Sequence, residues 1–219
     1  PEENVTLKAC SASQTNEYAV TVEHYLMGTD GTYPDIPYET TVKPYKYGAE
    51  LNFTDAANEY EGFTLNIEKT KKMNAGYTGT VTGDVKLKIY YDRNRYTVTV
   101  EHYYMDTAGN YPEKPSVAED LKPYYGETLV HDELAREIKG LSLNAQKSAE
   151  ENGNRTQTLV TGNTVIRLYY DRSVCTVTYD YRTNGGTSAD QETVKTYYGA
   201  GADLSVAAYK NGWEHAGWN

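Results

Sequence analysis

Residues 18–33 read YAVTVEHYLMGTDGTY and residues 96–111 read YTVTVEHYYMDTAGNY, so the chain holds two near-copies of one unit displaced by 78 positions. Repetition at such a period constrains the fold more than any local pattern, because each copy must close its own core. The register persists. Glu23, His24, Tyr25 and Met27 correspond to Glu101, His102, Tyr103 and Met105; Gly48 corresponds to Gly126, and GFTLN at 62–66 to GLSLN at 140–144. Each copy ends on one phrase, VKLKIYYDR at 85–93 and TVIRLYYDR at 164–172. A third copy opens at Cys175 with CTVTYDY, then diverges and reaches Tyr198-Gly199 early. NVTLKAC at 4–10 aligns with DVKLKIY at 84–90. The expected organisation is a closing strand of a preceding repeat or an N-terminal extension (1–17), a first repeat (18–95), a second (96–174) and a partial third (175–219).

Within a repeat, YTVTVEHY alternates, with Val98, Val100 and His102 on one face and Thr97, Thr99, Glu101 and Tyr103 on the other. That is the pattern of a half-buried strand. A Gly/Asp/Pro-rich loop and an extended stretch through Val117 and Leu121 follow, broken at Pro123. DELAREIKG predicts a short helix, capped by Asp132, with Leu134 and Ile138 inward and Gly140 as terminator. In the first repeat Thr54, Ala56, Tyr60 and Gly62 take those parts. A strand at 141–144 and a final strand through Ile166, Leu168 and Tyr170 complete a β-β-α-β-β order. The expected class is mainly β with short helices (α+β): tandem small β-grasp-like modules. Two-residue joints, Asn94-Arg95 and Ser173-Val174, predict an elongated, semi-rigid rod.

Acidic residues outnumber basic ones by 31 to 21, giving a formal charge of −10. Phosphate binding needs clustered Lys and Arg, so no nucleic acid is expected. No apolar run approaches the ~20 residues that span a bilayer, so no membrane insertion is expected within this segment. The aromatic content is 23 Tyr against 2 Phe and 2 Trp. This predicts many thin cores capped by rings with polar tips. Cys10 and Cys175 occupy different places in their repeats and are not expected to bridge. The chain starts at Pro1 and reads as a segment of a longer protein.

His24 and His102 each follow a Glu, but strand parity puts the two side chains on opposite faces, so they form no relay. They read as hydrogen-bonded core or edge histidines. Asp30-Gly31 and Asp106 with Gly109 lack the acid spacing of a calcium loop and read as solvated turns. No nucleophile elbow, zinc-helix motif, C-x-x-C pair or phosphate loop occurs. No catalytic residue, metal ligand or cofactor is therefore expected. In the paired tyrosines one ring faces each way. Tyr91 falls with Leu87 and Ile89 on the inner face, whereas Tyr90, and likewise Tyr169, falls outside with the lysine positions. Tyr90 and Tyr169 are the candidate ligand-contact rings, for stacking on a sugar; the alternative is that they cover the sheet. Lysines near Asn or Asp leave isopeptide crosslinks open.

NGGT at 184–187, ETVKTYYG at 192–199 and GWEHAGWN at 212–219 resemble the Listeria–Bacteroides repeat of internalin-like surface proteins, with Trp213 and His215 departing from its usual aromatics. The two full repeats resemble mucin-binding-protein (MucBP) modules in their V-T-V opening strand, late Y-G turn, G-F/L-x-L strand and closing Y-Y-D. These resemblances imply β-grasp-like modules of large cell-wall-anchored proteins on Gram-positive or gut bacteria. The expected function is a non-catalytic spacer or adhesion stalk at the extracellular cell surface, monomeric, with host glycans or extracellular host proteins as partners. The alternatives are a mucin-glycan-binding module using exposed tyrosines, and host-protein binding through an open sheet edge.

Overall fold

The computed structural model describes residues 16–180, 191–203 and 205, which fall into two compact units. One comprises residues 16–95 together with 124–126; the other comprises 96–123 and the described residues from 127 onward.

The first unit opens with β1 (Glu17–Leu26) and β2 (Glu39–Lys46), an antiparallel pair that sets His24 opposite Glu39. β3 (Phe63–Leu65) leads at once into helix α1 (Ile67–Met73), and β4 (Val85–Arg93) closes the repeat. The sheet order is β2-β1-β4-β3, with the opening and closing strands parallel at its centre. This central parallel pair is the arrangement a β-grasp-like module requires. It places Val20, Val22, Leu87, Ile89 and Tyr91 on one face, where Leu51 and Val81 cover them.

The second unit repeats the plan with β5 (Val98–Tyr104), β6 (Val117–Leu121), β8 (Leu141–Leu143), α2 (Ala145–Glu151) and β10 (Thr164–Arg172), in the order β6-β5-β10-β8. Two pairs are added: β7 (Thr128–Val130) with β9 (Gln157–Leu159), and β11 (Val174–Asp180) with β12 (Gln191–Tyr197). Val98, Val100 and His102 are all buried, as the alternation of the opening strand predicts.

The helix lies elsewhere than its apolar spacing predicts. Of DELAREIKG only Asp132–Leu134 forms one 3-10 turn, after which Ala135 turns extended. The stretch at 54–62 is not a helix at all. The backbone is drawn away by a tertiary contact: the Arg136 N–H donates to the Tyr170 hydroxyl at 2.9 Å, and the Asn58 N–H to the Tyr91 hydroxyl at 2.8 Å. The true helices follow β3 and β8 and are held by asparagines at both ends. Asn66 and Asn144 cap the N-termini by accepting from Lys69 N and Lys147 N. Asn74 and Asn152 grip both the helix and the closing strand: each amide donates to the carbonyl of Lys88 or Arg167, and each side-chain carbonyl accepts that same residue's N–H. The order is thus β-β-β-α-β, with the helix late.

Candidate functional site

The closing strand gathers most of the polar architecture. Its Tyr91 and Tyr170 point into the core and meet the opening-strand histidines, with hydroxyl to Nδ1 distances of 2.9 Å for His24 and 2.8 Å for His102. The Nε2 of His102 lies 3.1 Å from Glu119. A carboxylate only accepts, so Nε2 carries the proton and Nδ1 accepts from the phenol. Burial holds both imidazoles below their usual range, with Glu119 pulling His102 back up and Glu39 doing so for His24. These are neutral, paired core groups, as their place on the valine face suggests.

Next along the strand, Asp92 and Asp171 act as hubs. Asp92 accepts from the Tyr33 hydroxyl and from the Asn66 amide at 2.9 Å; Asp171 accepts from the Tyr111 hydroxyl and the Asn144 amide, also at 2.9 Å. Each aspartate thereby ties the first loop to the helix cap. Burial and the carboxylate together push the Tyr33 and Tyr111 hydroxyls far above the ordinary phenol range. The first loops use their own acids internally: Asp30 accepts from Thr32 N at 2.9 Å, and Asp106 from Ala108 N and Asn110 N.

For Tyr90 and Tyr169 the sequence leaves two uses open, stacking on a sugar or covering the sheet; the rings are only 6% and 8% exposed. Tyr90 stacks on Tyr25 at 4.8 Å, meets Tyr33 edge-on at 5.0 Å, and lies under the Lys69 ammonium. Tyr169 is enclosed alike by Tyr103, Tyr111 and Lys147. Parity places these rings on the face opposite the core, but the helix and first loop cover that face. Neither ring offers an open face for stacking.

Among the described residues the two most exposed large apolar side chains, Ile36 and Tyr38, lie in the first unit. A depression of about 420 Å³ is lined by Ile36, Tyr38, Tyr60, Glu61, Phe63 and Arg93 among others. Ile36 is 78% exposed and Tyr38 69% exposed. Tyr38 and Tyr60 meet edge to face at 5.6 Å, and the Tyr60 hydroxyl donates to Glu39 at 2.6 Å. The second repeat has Lys114, Ser116 and Ile138 where the first has Ile36, Tyr38 and Tyr60, so this surface is not copied. Sequence reasoning passed over it because these residues lie in connecting stretches where periodicity is silent. It also passed over His131, buried in the second unit with Nε2 2.9 Å from the Thr158 hydroxyl.

Among the described residues no group of three or more His, Cys, Asp or Glu is placed to hold a metal ion, and no helix is long and apolar enough to cross a membrane. Cys175 is a free, half-buried thiol on β11; Cys10 lies outside the described residues. NGGT at 184–187 and GWEHAGWN at 212–219 also lie outside them.

No family model matches the chain, and no curated protein matches it. Among solved structures it is similar to the crystal structure of Mub-RV, at 10% identity over 71% of this chain and 99% of that one, with a TM-score of 0.22. It is also similar to the type 2 repeat of the mucus binding protein MUB from Lactobacillus reuteri, at 11% identity over 71% of this chain and 100% of that one, with a TM-score of 0.21.

Proposed function

We propose that the chain is a non-catalytic repeat segment of an extracellular bacterial surface protein, serving as spacer and adhesion stalk. The observation that supports this reading is how the copied polar residues are used. In both repeats the histidine, the paired tyrosines and the closing Asp-Arg are consumed by internal bonds between strands, loop and helix. A catalytic site leaves some of its groups converging on open space. These converge on one another. The resemblance of the opening and closing strands to MucBP modules supports the surface setting.

Replacement tests the spacer role. In a surface-displayed parent, substituting residues 16–174 with an unrelated folded segment of similar length should preserve presentation of whatever lies beyond. Loss of adhesion despite preserved presentation would reject a pure spacer and favour a dedicated ligand.

A second reading, glycan binding, is favoured among the described residues by the depression beside Ile36 and Tyr38. An exposed ring beside an acid and a guanidinium suits a pyranose, whose C–H face stacks while its hydroxyls bond. A mucin-glycan array should then show binding that is lost in Tyr38→Ala and Ile36→Ser. Binding indifferent to both changes would remove the depression as the site.

A further inference from the structure

Each repeat begins and ends on one pair of neighbouring strands, and the two run in the same direction. β1 and β4 pair in parallel from Val20 with Val85 to Leu26 with Tyr91. β5 and β10 do so from Val98 with Thr164 to Tyr104 with Tyr170. The chain enters a repeat at the N-terminal end of the opening strand and leaves it at the C-terminal end of the closing strand. In a parallel pair those points lie at opposite ends of the ladder. Tension along the chain therefore drags the two strands lengthwise past each other, and the whole ladder has to slip at once. An antiparallel pair pulled from adjacent ends opens one pair at a time.

Side chains are laid across this same seam in both repeats. At its start Ala19 N donates to Asp84 Oδ1 and Thr97 N to Asn163 Oδ1, each at 2.8 Å. At its far end Met27 N donates to the Tyr91 carbonyl and Met105 N to the Tyr170 carbonyl, each at 3.0 Å. The closing arginines return the tie: Arg93 Nε donates to the Met27 carbonyl at 2.8 Å, and Arg172 Nε to the Met105 carbonyl at 2.9 Å. Between these ends, Lys86 pairs with Glu23 at 2.7 Å and Arg167 with Glu101 at 3.1 Å. Tyr25 stacks on Tyr90, and Tyr103 on Tyr169. The residues change from Asp to Asn and from Lys to Arg between the copies, while each tie is kept.

We infer that each repeat is a shear clamp, whose opening and closing strands carry tension passed along the chain. The inference deepens the stalk reading and rests on it for the source of the load. A spacer has only to fill distance, whereas a clamp also holds its length under pull.

Single-molecule force spectroscopy on the full chain tests this by comparing pulling directions. Cys10→Ser and Cys175→Ser leave thiol handles only where they are placed. Pulled from its two ends, the chain should give two high-force ruptures. Each should release roughly 240 Å, the extended length of residues 17–93 or 96–172 less the folded span. Pulled between Glu17→Cys and Lys46→Cys, register partners at adjacent ends of the antiparallel β1 and β2, β2 should peel away at severalfold lower force. Thr99→Cys with Asp120→Cys, partners on β5 and β6, makes the same comparison in the second repeat, so a defect in one pair does not decide the outcome. Forced rupture reads the unfolding barrier along the direction pulled, so two forces from one fold isolate the geometry. End-to-end rupture at a force no higher than the peeling force overturns the inference. So does an end-to-end pull without two discrete ruptures while urea unfolding shows both repeats folded. The replacement of residues 16–174 reads the stalk role separately: a weak clamp in a segment that still supports presentation sinks this inference alone.

Discussion

The Tyr170 hydroxyl links two otherwise separate pieces of the second repeat: it lies 2.8 Å from His102 Nδ1 and accepts the Arg136 N–H at 2.9 Å. One oxygen therefore satisfies a buried ring and pins the stretch that would otherwise continue as a helix. Tyr170→Phe leaves both groups without it. The His102 nitrogen is the buried one of the two, and a stranded buried polar group costs about 1–3 kcal/mol. Urea unfolding should show a loss in that range, with Tyr91→Phe behaving alike in the first unit. An unchanged midpoint would show that the hydroxyl contributes nothing.

The same histidines set the acid limb of stability. Burial lowers the folded pKa of His24 and His102 below the free value of 6.5, so the unfolded chain binds more protons beneath that pH. Their contribution is complete above pH 6.5 and is lost as pH falls from there through the folded values. Glu119 and Arg136 face His102, and Glu39 and Lys43 act on His24. Glu119 is itself held below 4.5, chiefly by Arg136, so its own contribution fades only at lower pH. Urea midpoints on either side of the free-histidine value should differ, and His102→Gln should reduce the difference. A flat profile in the native chain would contradict this.

Alkali acts through the phenols. Burial pushes Tyr91 up to about 12, and burial with the Glu23 bond pushes Tyr25 up to about 12. Their folded values exceed the ordinary 10.0, so this stability is complete below pH 10 and is lost as pH rises through about 12. Phenolate absorbance should develop late for the buried rings and coincide with loss of the far-ultraviolet strand signal. Full phenol titration near pH 10 without unfolding would refute the burial argument.

Gly140 and Gly153 separate two costs. Both have positive φ, +77° and +70°, where an alanine costs about 1–2 kcal/mol. A Cβ at Gly153 meets nothing closer than the Arg155 side chain at 3.9 Å, whereas at Gly140 it collides with Tyr198. Gly140→Ala should therefore destabilise clearly more than Gly153→Ala and should increase Tyr198 reactivity toward hydroxyl radicals. Equal effects would mean the tyrosine moves aside freely.

Asp171→Ala removes the acceptor shared by Tyr111 and Asn144. The expected loss is about 2–4 kcal/mol for two charge-assisted bonds. Amide exchange should rise in both the 105–111 loop and the first turn of α2. Exchange rising in only one of them would show that the aspartate does not couple the two.

The repeat, the opening and closing strands and the buried face were legible because strand alternation and copied phrases both mark them. Val98, Val100 and His102 sit where parity puts them. The helices were not legible, because they dock through polar atoms. Thr70 and Ser148 accept the backbone N–H of Tyr90 and Tyr169, and asparagines hold both ends, so no apolar stripe advertises the element. DELAREIKG carries the stripe but loses its backbone to a phenol from elsewhere in the chain. The cover on Tyr90 and Tyr169 comes from the helix and the first loop, which strand parity alone does not place. The depression beside Tyr38 had no signal beyond aromatic residues in a connecting stretch.

The composition of the first unit bears on how such a segment is cut and rearranged. Residues 124–126 complete it although the chain passes through 96–123 before reaching them. No single contiguous excision therefore yields that unit whole: a fragment stopping at Arg95 leaves Gly62 and Arg93 without the ring and carbonyl that fill them. A repeat joined after Arg95 fills that space only when it carries a tyrosine and glycine at the places of Tyr125 and Gly126.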